Sequence, residues 1–150
     1  MKVACIMVLS AVLILGNMAL CVAEPEYIGI VKSITRDAFF IRKGETTPAD
    51  VNMKIMNKDI IITGPDGAIG IILKDDTVIS MGPGSEIIID DFIFDPVQNN
   101  LSFVARMLHG TVSYVSGQIV KLSPESVRFE TPVATVGMRG THFLVKAGDN

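Results

Sequence analysis

Any chemistry in this chain would have to come from its histidines, its paired acids, its serines or its glycine-flanked corners. His109 and His142 stand 33 residues apart, and neither has a second ligand-type residue at i+2 or i+4. A zinc site needs three or four converging N, S or O ligands, so both read as partly exposed side chains near turns, and no metal is expected. Asp75-Asp76 and Asp90-Asp91, with Asp95 nearby, admit calcium ligation or the paired carboxylates of glycoside hydrolysis. Neighbouring residues in a strand point to opposite faces, which does not focus two carboxylates on one point. No D-x-D-x-D-G spacing occurs, and each pair follows an apolar run, where aspartate makes turn hydrogen bonds. The turn reading is the one adopted.

Serine chemistry needs a base and an oxyanion hole. There is no G-x-S-x-G elbow, and neither histidine has a neighbouring cue. Gly82-Pro83-Gly84-Ser85 is glycine-rich but lacks the G-K-[ST] ending and following helix of a phosphate loop. Asn100-Leu101-Ser102 is a formal glycosylation sequon, read as coincidence beside a bacterial-type leader. Phe92 and Phe94 alternate within a strand; core packing before the Pro96 stop is preferred to a carbohydrate platform. No catalytic residue and no cofactor are expected.

One stretch looks like a motif: TPVATVGMRGTHF, residues 131–143. Pro132 biases Thr131 toward extended backbone, and Val133–Val136 is expected to continue extended. Gly137 and Gly140 bracket Met138-Arg139 as a bend that calls on glycine's freedom. Thr141, Phe143 and Val145 then share one face of a final strand, with His142, Leu144 and Lys146 on the other. Arg139 has two readings, a guanidinium tied to nearby carbonyls or to Glu130, or an anion or partner contact. The structural tie is preferred, and Arg139 is the one candidate binding residue.

The elements that must position these residues are short, β-branched runs bounded by Gly, Pro, Asp or Asn. Strands are expected at residues 27–34, 38–42, 59–63, 68–73, 77–81 and 86–89, then at 101–107, 111–115, 118–122, 126–130 and 141–146. Gly64-Pro65-Asp66-Gly67, Lys74-Asp75-Asp76 and Gly82-Pro83-Gly84 supply turns. Ile60–Ile62 and Ile87–Ile89, apolar at consecutive positions, suggest burial on both faces. The best helical candidate is Met53–Asp59, which lacks a clear amphipathic face. The fold class expected is all-β, a sandwich, jelly roll or related coiled sheet, in a single domain.

The chain has 150 residues, enough for one such domain. Residues 1–23 read as a signal peptide: Lys2, an apolar run over 3–15, and small residues before a cut after Ala23. The run is short for a membrane span, so no transmembrane helix is expected in the mature form, residues 24–150. Leu20 stands where a lipobox wants a small residue, which disfavours a lipid anchor at Cys21. With Cys5 also in the leader, the mature domain has no cysteine for disulfide, thiolate site or nucleophile. Without Lys2, 12 basic residues face 16 acidic ones, a net charge of −4. Such a surface, with no basic run, is a poor partner for nucleic acid.

Taken in order, these segments resemble the FecR-type domain. DIIITGPDGAIGIILKDDTVISMGPGSEIII, beginning at Asp59, is similar to that family's strand, turn and D-G-(T/S) hairpin. LHGTVSYV resembles its L-x-x-G-x-V strand, and FETPVATVGMRGTHFLV its closing signature, T-P-x-A-x-x-(G/A)-x-R-G-T-x-F. The resemblance covers about residues 57–146. The signature falls on Thr131, Pro132, Ala134, Gly137, Arg139, Gly140, Thr141 and Phe143, and is expected to be structural. One departure is Asp75-Asp76-Thr77 at the hairpin tip, which puts an aspartate where φ > 0 is wanted, a state aspartate visits more readily than most residues.

Regulators of the family carry a cytoplasmic anti-sigma segment, a membrane helix and a receptor-contacting domain beside the FecR-type domain. The leader and the short stretch after Val145 argue against that arrangement here, and no sigma-factor contact is expected. The resemblance implies a non-catalytic exported binding or interaction module of the bacterial envelope, periplasmic or secreted. It would recognise an envelope protein or glycan, with signal sensing as one role. The alternative is a structural or adhesive envelope protein that self-associates through β edges. A small hydrolase would require one of the histidines to meet a serine or an acid in the fold.

Overall fold

Along Ala68–Leu73 every second side chain is buried and its neighbours are half-exposed, the alternation of a strand with one face on a core. The same logic builds most of the chain. The computed structural model describes residues 26–140 and 142–148. The expected leader, its cleavage point, Cys21 and the signature residue Thr141 lie outside the described residues.

These residues form twelve strands: β1 (Gly29–Thr35), β2 (Ala38–Arg42), β3 (Glu45–Pro48), β4 (Lys54–Ile55), β5 (Ile60–Thr63), β6 (Ala68–Leu73), β7 (Val78–Met81), β8 (Glu86–Asp95), β9 (Asn100–Val115), β10 (Val127–Thr131), β11 (Ala134–Gly137) and β12 (His142–Ala147). One short helix, α1 (Gln118–Leu122), and a 3-10 turn at Pro124–Ser126 separate β9 from β10. The main path runs β3-β2-β5-β8-β9-β7-β6-β1-β4, with β10, β11 and β12 attached beside β9. All-β architecture is therefore observed, as one curled and mostly antiparallel sheet.

β9 is the spine. Its first part pairs with β8, from Asp95↔Asn100 to Glu86↔His109, and its second part pairs with β7, from Met81↔Val112 to Val78↔Val115. The partner changes at Gly110, whose φ of +97° is left-handed. A β-carbon there would lie 2.3 Å from the Ser85 Cα, so both the conformation and the space demand glycine. Two runs expected as separate strands, 101–107 and 111–115, are thus a single bent one. Gly82-Pro83-Gly84-Ser85 is the matching corner, the turn between β7 and β8. Ser85 is fully buried there, its Oγ accepting from Thr111 N (2.9 Å) and its backbone N donating to Thr63 Oγ1 (2.8 Å).

β9 also pairs in parallel with β10 (Phe103↔Val127 to Arg106↔Glu130). Parallel neighbours need a crossover rather than a tight turn, and Ser116–Ser126 supplies it. Residues 118–122, expected as a strand, are accordingly the helix α1. Its backbone is captured by the β6–β7 tip, where Asp75 O accepts from Gln118 N (2.7 Å) and Asp75 Oδ2 from Ile119 N (3.3 Å). Met53–Asp59, the best helical candidate in the sequence but without an amphipathic face, forms no helix. That segment holds β4 and a turn, because Arg42 Nη2 takes the Lys54 carbonyl (2.9 Å) and the Asp59 carboxylate takes Met56 N (2.9 Å). In an α-helix over this segment the Lys54 carbonyl would instead have accepted from the Lys58 amide.

Inside the curl, a chain of rings crosses the strands: Phe92, Phe103, Tyr114, Phe143 and Phe129, with successive centroids 6.3, 5.7, 4.9 and 5.6 Å apart. Those spacings fall in the favourable range for edge-to-face and offset contacts. Ile61, Ile87 and Ile89 are wholly buried against the core, whereas Ile60, Ile62 and Ile88 face outward and stay half-exposed. Burial on both faces does not hold for these strands. Consecutive isoleucines satisfy the backbone preference of a pleated strand even where only one face meets a core.

Candidate functional site

The closing signature begins at a hairpin. Thr131 Oγ1 donates to Ala134 O (3.0 Å) and accepts from Ala134 N (3.1 Å), closing a four-residue turn with Pro132 second, where its fixed φ fits. The expected extended run through Val133 is interrupted by this turn, and Val133 projects into solvent. The chain returns as β11, paired with β10 from Thr131↔Ala134 to Arg128↔Gly137.

Beyond β11 the next side chains diverge. Met138 turns inward and is 4 % exposed, joining the core. Arg139 turns outward, and among the described residues no hydrogen bond or ion pair joins it to Glu130 or to a neighbouring carbonyl. Gly137 and Gly140 do not take left-handed backbone, and a β-carbon on either would meet nothing within 4 Å. The bend is held by the buried Met138 and not by glycine's freedom.

Arg139 lines an open groove of about 730 Å³ between α1, the 3-10 turn, the start of β10 and the segment after β11. Val120, Val127 and Met138 give it an apolar floor, while Lys121, Arg128 and Arg139 stand at its lip. Glu125 is the acid in the lining. Ser123 Oγ donates to Glu125 Oε1 (2.6 Å), and this bond is the main cause of its carboxyl lying below the ordinary range. Three cations therefore face one carboxylate already engaged by a serine. Among the described residues no carboxylate pairs with Lys121, Arg128 or Arg139, whereas Arg42, Lys74 and Arg106 are paired with Asp59, Glu26 and Asp90. The volume falls in the range of ligand pockets. The arrangement suits an anion carrying apolar groups.

The other chemistry-bearing residues are used by the fold. Asp75 is buried, accepting from Thr77 N (3.1 Å) and Thr77 Oγ1 (2.8 Å). Asp76 takes φ 66°, the left-handed state that the family's glycine would occupy, and its carboxylate accepts from Gln118 Nε2 (2.9 Å). Asp90 pairs with Arg106, Asp91 accepts from Ser102 Oγ (2.6 Å), and Asp95 accepts from Gln98 N (3.1 Å). The acidic pairs do not converge. Among the described residues, no group of three or more His, Cys, Asp or Glu is placed to hold a metal ion.

His109 bonds Gly84 O (2.9 Å) and Glu86 (3.1 Å), and His142 meets Ser113 Oγ at 3.1 Å. Hydrolysis would require a histidine beside a serine or an acid, and both contacts occur, His142 with Ser113 and His109 with Glu86. Both sit on exposed surface outside the groove, and among the described residues no acid bonds His142 and no serine side chain bonds His109. Phe92 is buried in the core, while Phe94 lies beside Tyr27 and Asn57 in a second depression. Lys121 and Arg128 escaped the sequence reading. They are isolated residues with no spacing in common, and only the crossover and the hairpin bring them beside Arg139.

Curled sheet, crossover and signature corner together define a small all-β module. The chain belongs to the FecR protein family, whose model matches residues 59–150. That span includes the signature and every cation of the groove. The family is one of non-enzymatic signalling modules associated with the envelope. Neither the curated proteins nor the solved structures gave a match. Among the described residues no helix is long and apolar enough to cross a membrane.

Proposed function

We propose that this chain is an exported, non-catalytic FecR-like module, periplasmic or secreted, that recognises an envelope partner, protein or glycan, and serves in signal sensing. The observation that carries the reading is the corner at Met138-Arg139. Its family signature anchors one side chain in the core and presents the next, unpaired, at a groove. A cation without an internal partner among the described residues, at a family-defining position, supports recognition over a purely structural role. The leader read over residues 1–23 supports export. Affinity capture from an envelope fraction tests the proposal. A specific partner or glycan recovered repeatedly sustains it, and none recovered under varied conditions defeats it.

A second reading, self-association through β edges, has its own support. β12 bonds β9 alone among the described strands and exposes Leu144. Open edges with apolar side chains invite pairing. Light scattering on the eluting protein separates the two, since a clean monomer at high concentration removes this alternative.

A further inference from the structure

The groove beside Arg139 is defined enough to name its ligand chemistry. We infer that it docks an acidic peptide segment of a partner protein, one that alternates carboxylate and aliphatic side chains. The inference rests on the reading of the chain as a binding module and states where that module binds.

Three observations point the same way. First, the floor formed by Val120, Val127 and Met138 is apolar, which a bare inorganic anion would not use. Second, the cations come from three different elements, Lys121 on α1, Arg128 on β10 and Arg139 after β11, and so are spread along the lip. That layout matches several spaced carboxylates better than one compact charge. Third, the whole chain has a net charge of −3, yet this lip carries three cations and Glu125. Local charge opposite to the global sign focuses an acidic partner here while the rest of the surface repels it. Two of the cations are arginines, whose planar fork receives carboxylates in bidentate fashion. A glycan without acids would leave the cations unused, and nucleic acid would face the acidic remainder of the surface.

The test is fluorescence anisotropy on the full mature chain with a labelled peptide alternating Glu and Leu, beside a copy with Gln replacing each Glu. The acidic probe is expected to bind and the Gln copy to bind at least about tenfold more weakly, with affinity falling as salt shortens the screening length. R128E/R139E is expected to abolish binding with an unchanged melting temperature, and Lys32→Glu, on the distant strand β1, to leave it intact. Should the double variant fail to fold, Lys121→Glu at its exposed helical position gives the same reading.

Equal binding of the Gln copy, retained binding by R128E/R139E, or no binding of the acidic probe overturns the inference. So does displacement by acetate or sulfate as effective as by unlabelled peptide, which would mark a simple anion site. Capture from the envelope fraction with both proteins keeps the two proposals distinguishable. A partner recovered equally by wild type and R128E/R139E removes the groove but leaves the binding module. Recovery by neither removes the broader reading.

Discussion

Arg42 and Asp59, 17 residues apart, meet in a two-pronged ion pair, Nε to Oδ1 at 2.8 Å and Nη2 to Oδ2 at 2.7 Å. The carboxylate is wholly buried while the guanidinium side chain remains 38 % exposed. The hydrogen bond it donates to Asp59 is the main reason the Arg42 guanidinium holds its proton more tightly than usual. The pair closes the loop from β3 through β4 onto β2 and β5. Because the acid is the buried partner, the two deletions are unequal. Arg42→Ala strands a buried charge and is expected to cost about 3 kcal/mol. R42A/D59N removes the stranded charge and should recover part of that loss. Urea unfolding of both variants checks the order, and a double variant less stable than R42A contradicts it.

At the β6–β7 tip, two adjacent aspartates have opposite roles. Asp75 is buried and receives three donors, from Thr77 N, Thr77 Oγ1 and Ile119 N. Asp75→Ala orphans these groups and is expected to cost about 2–4 kcal/mol, with loss of order in α1. Asp76 sits at φ 66° on the surface side of the same turn. Asp76→Gly restores the family's residue, and relief of the left-handed strain offsets the gain in unfolded-chain entropy to within about 0.5 kcal/mol. Thermal unfolding of the two variants side by side decides the matter.

Tyr114 lies in the aromatic chain, and burial pushes its pKa up to about 12. The ordinary tyrosine value is 10.0. The folded state therefore holds a proton that the unfolded chain releases first. The stabilisation is complete below about pH 10 and is lost as pH rises toward about 12. Melting temperature should fall across that window in the wild type and fall less in Tyr114→Phe. Parallel curves for the two proteins would contradict the assignment.

The signature corner yields a contrast between neighbours. Met138→Ala removes a buried anchor and is expected to cost about 2 kcal/mol or more. Arg139→Ala removes an exposed side chain with no internal bond among the described residues, and should shift stability by less than about 0.5 kcal/mol. Denaturant curves measure both. A destabilised Arg139→Ala would restore the structural tie to Glu130 or to the backbone that the sequence alone favours.

Much of the fold was legible because strands and turns are written in local chemistry. The alternation in Ala68–Leu73, the Gly64-Pro65-Asp66-Gly67 turn and the left-handed position at Asp76 follow from side-chain period and backbone preference over a few residues. The ordered motif from Thr131 to Phe143 placed the chain in its family for the same reason, since order along the chain is what a motif records.

What tertiary structure alone decided are the features that depend on residues distant in sequence. Gln118–Leu122 is β-branched and apolar enough to extend, but Asp75 captures its first amides more than forty residues away and winds it into a helix. Gly110 looked like a break between strands and proved to be a bend within one, because Ser85 occupies the space beside it. The groove belongs to the same category. Lys121, Arg128 and Arg139 carry no pattern in the sequence; a parallel crossover and a hairpin bring them to one lip, since burying the aromatic chain requires β10 to lie beside β9. Local chemistry wrote the strands, and the packing of their inner faces chose which charges would meet outside.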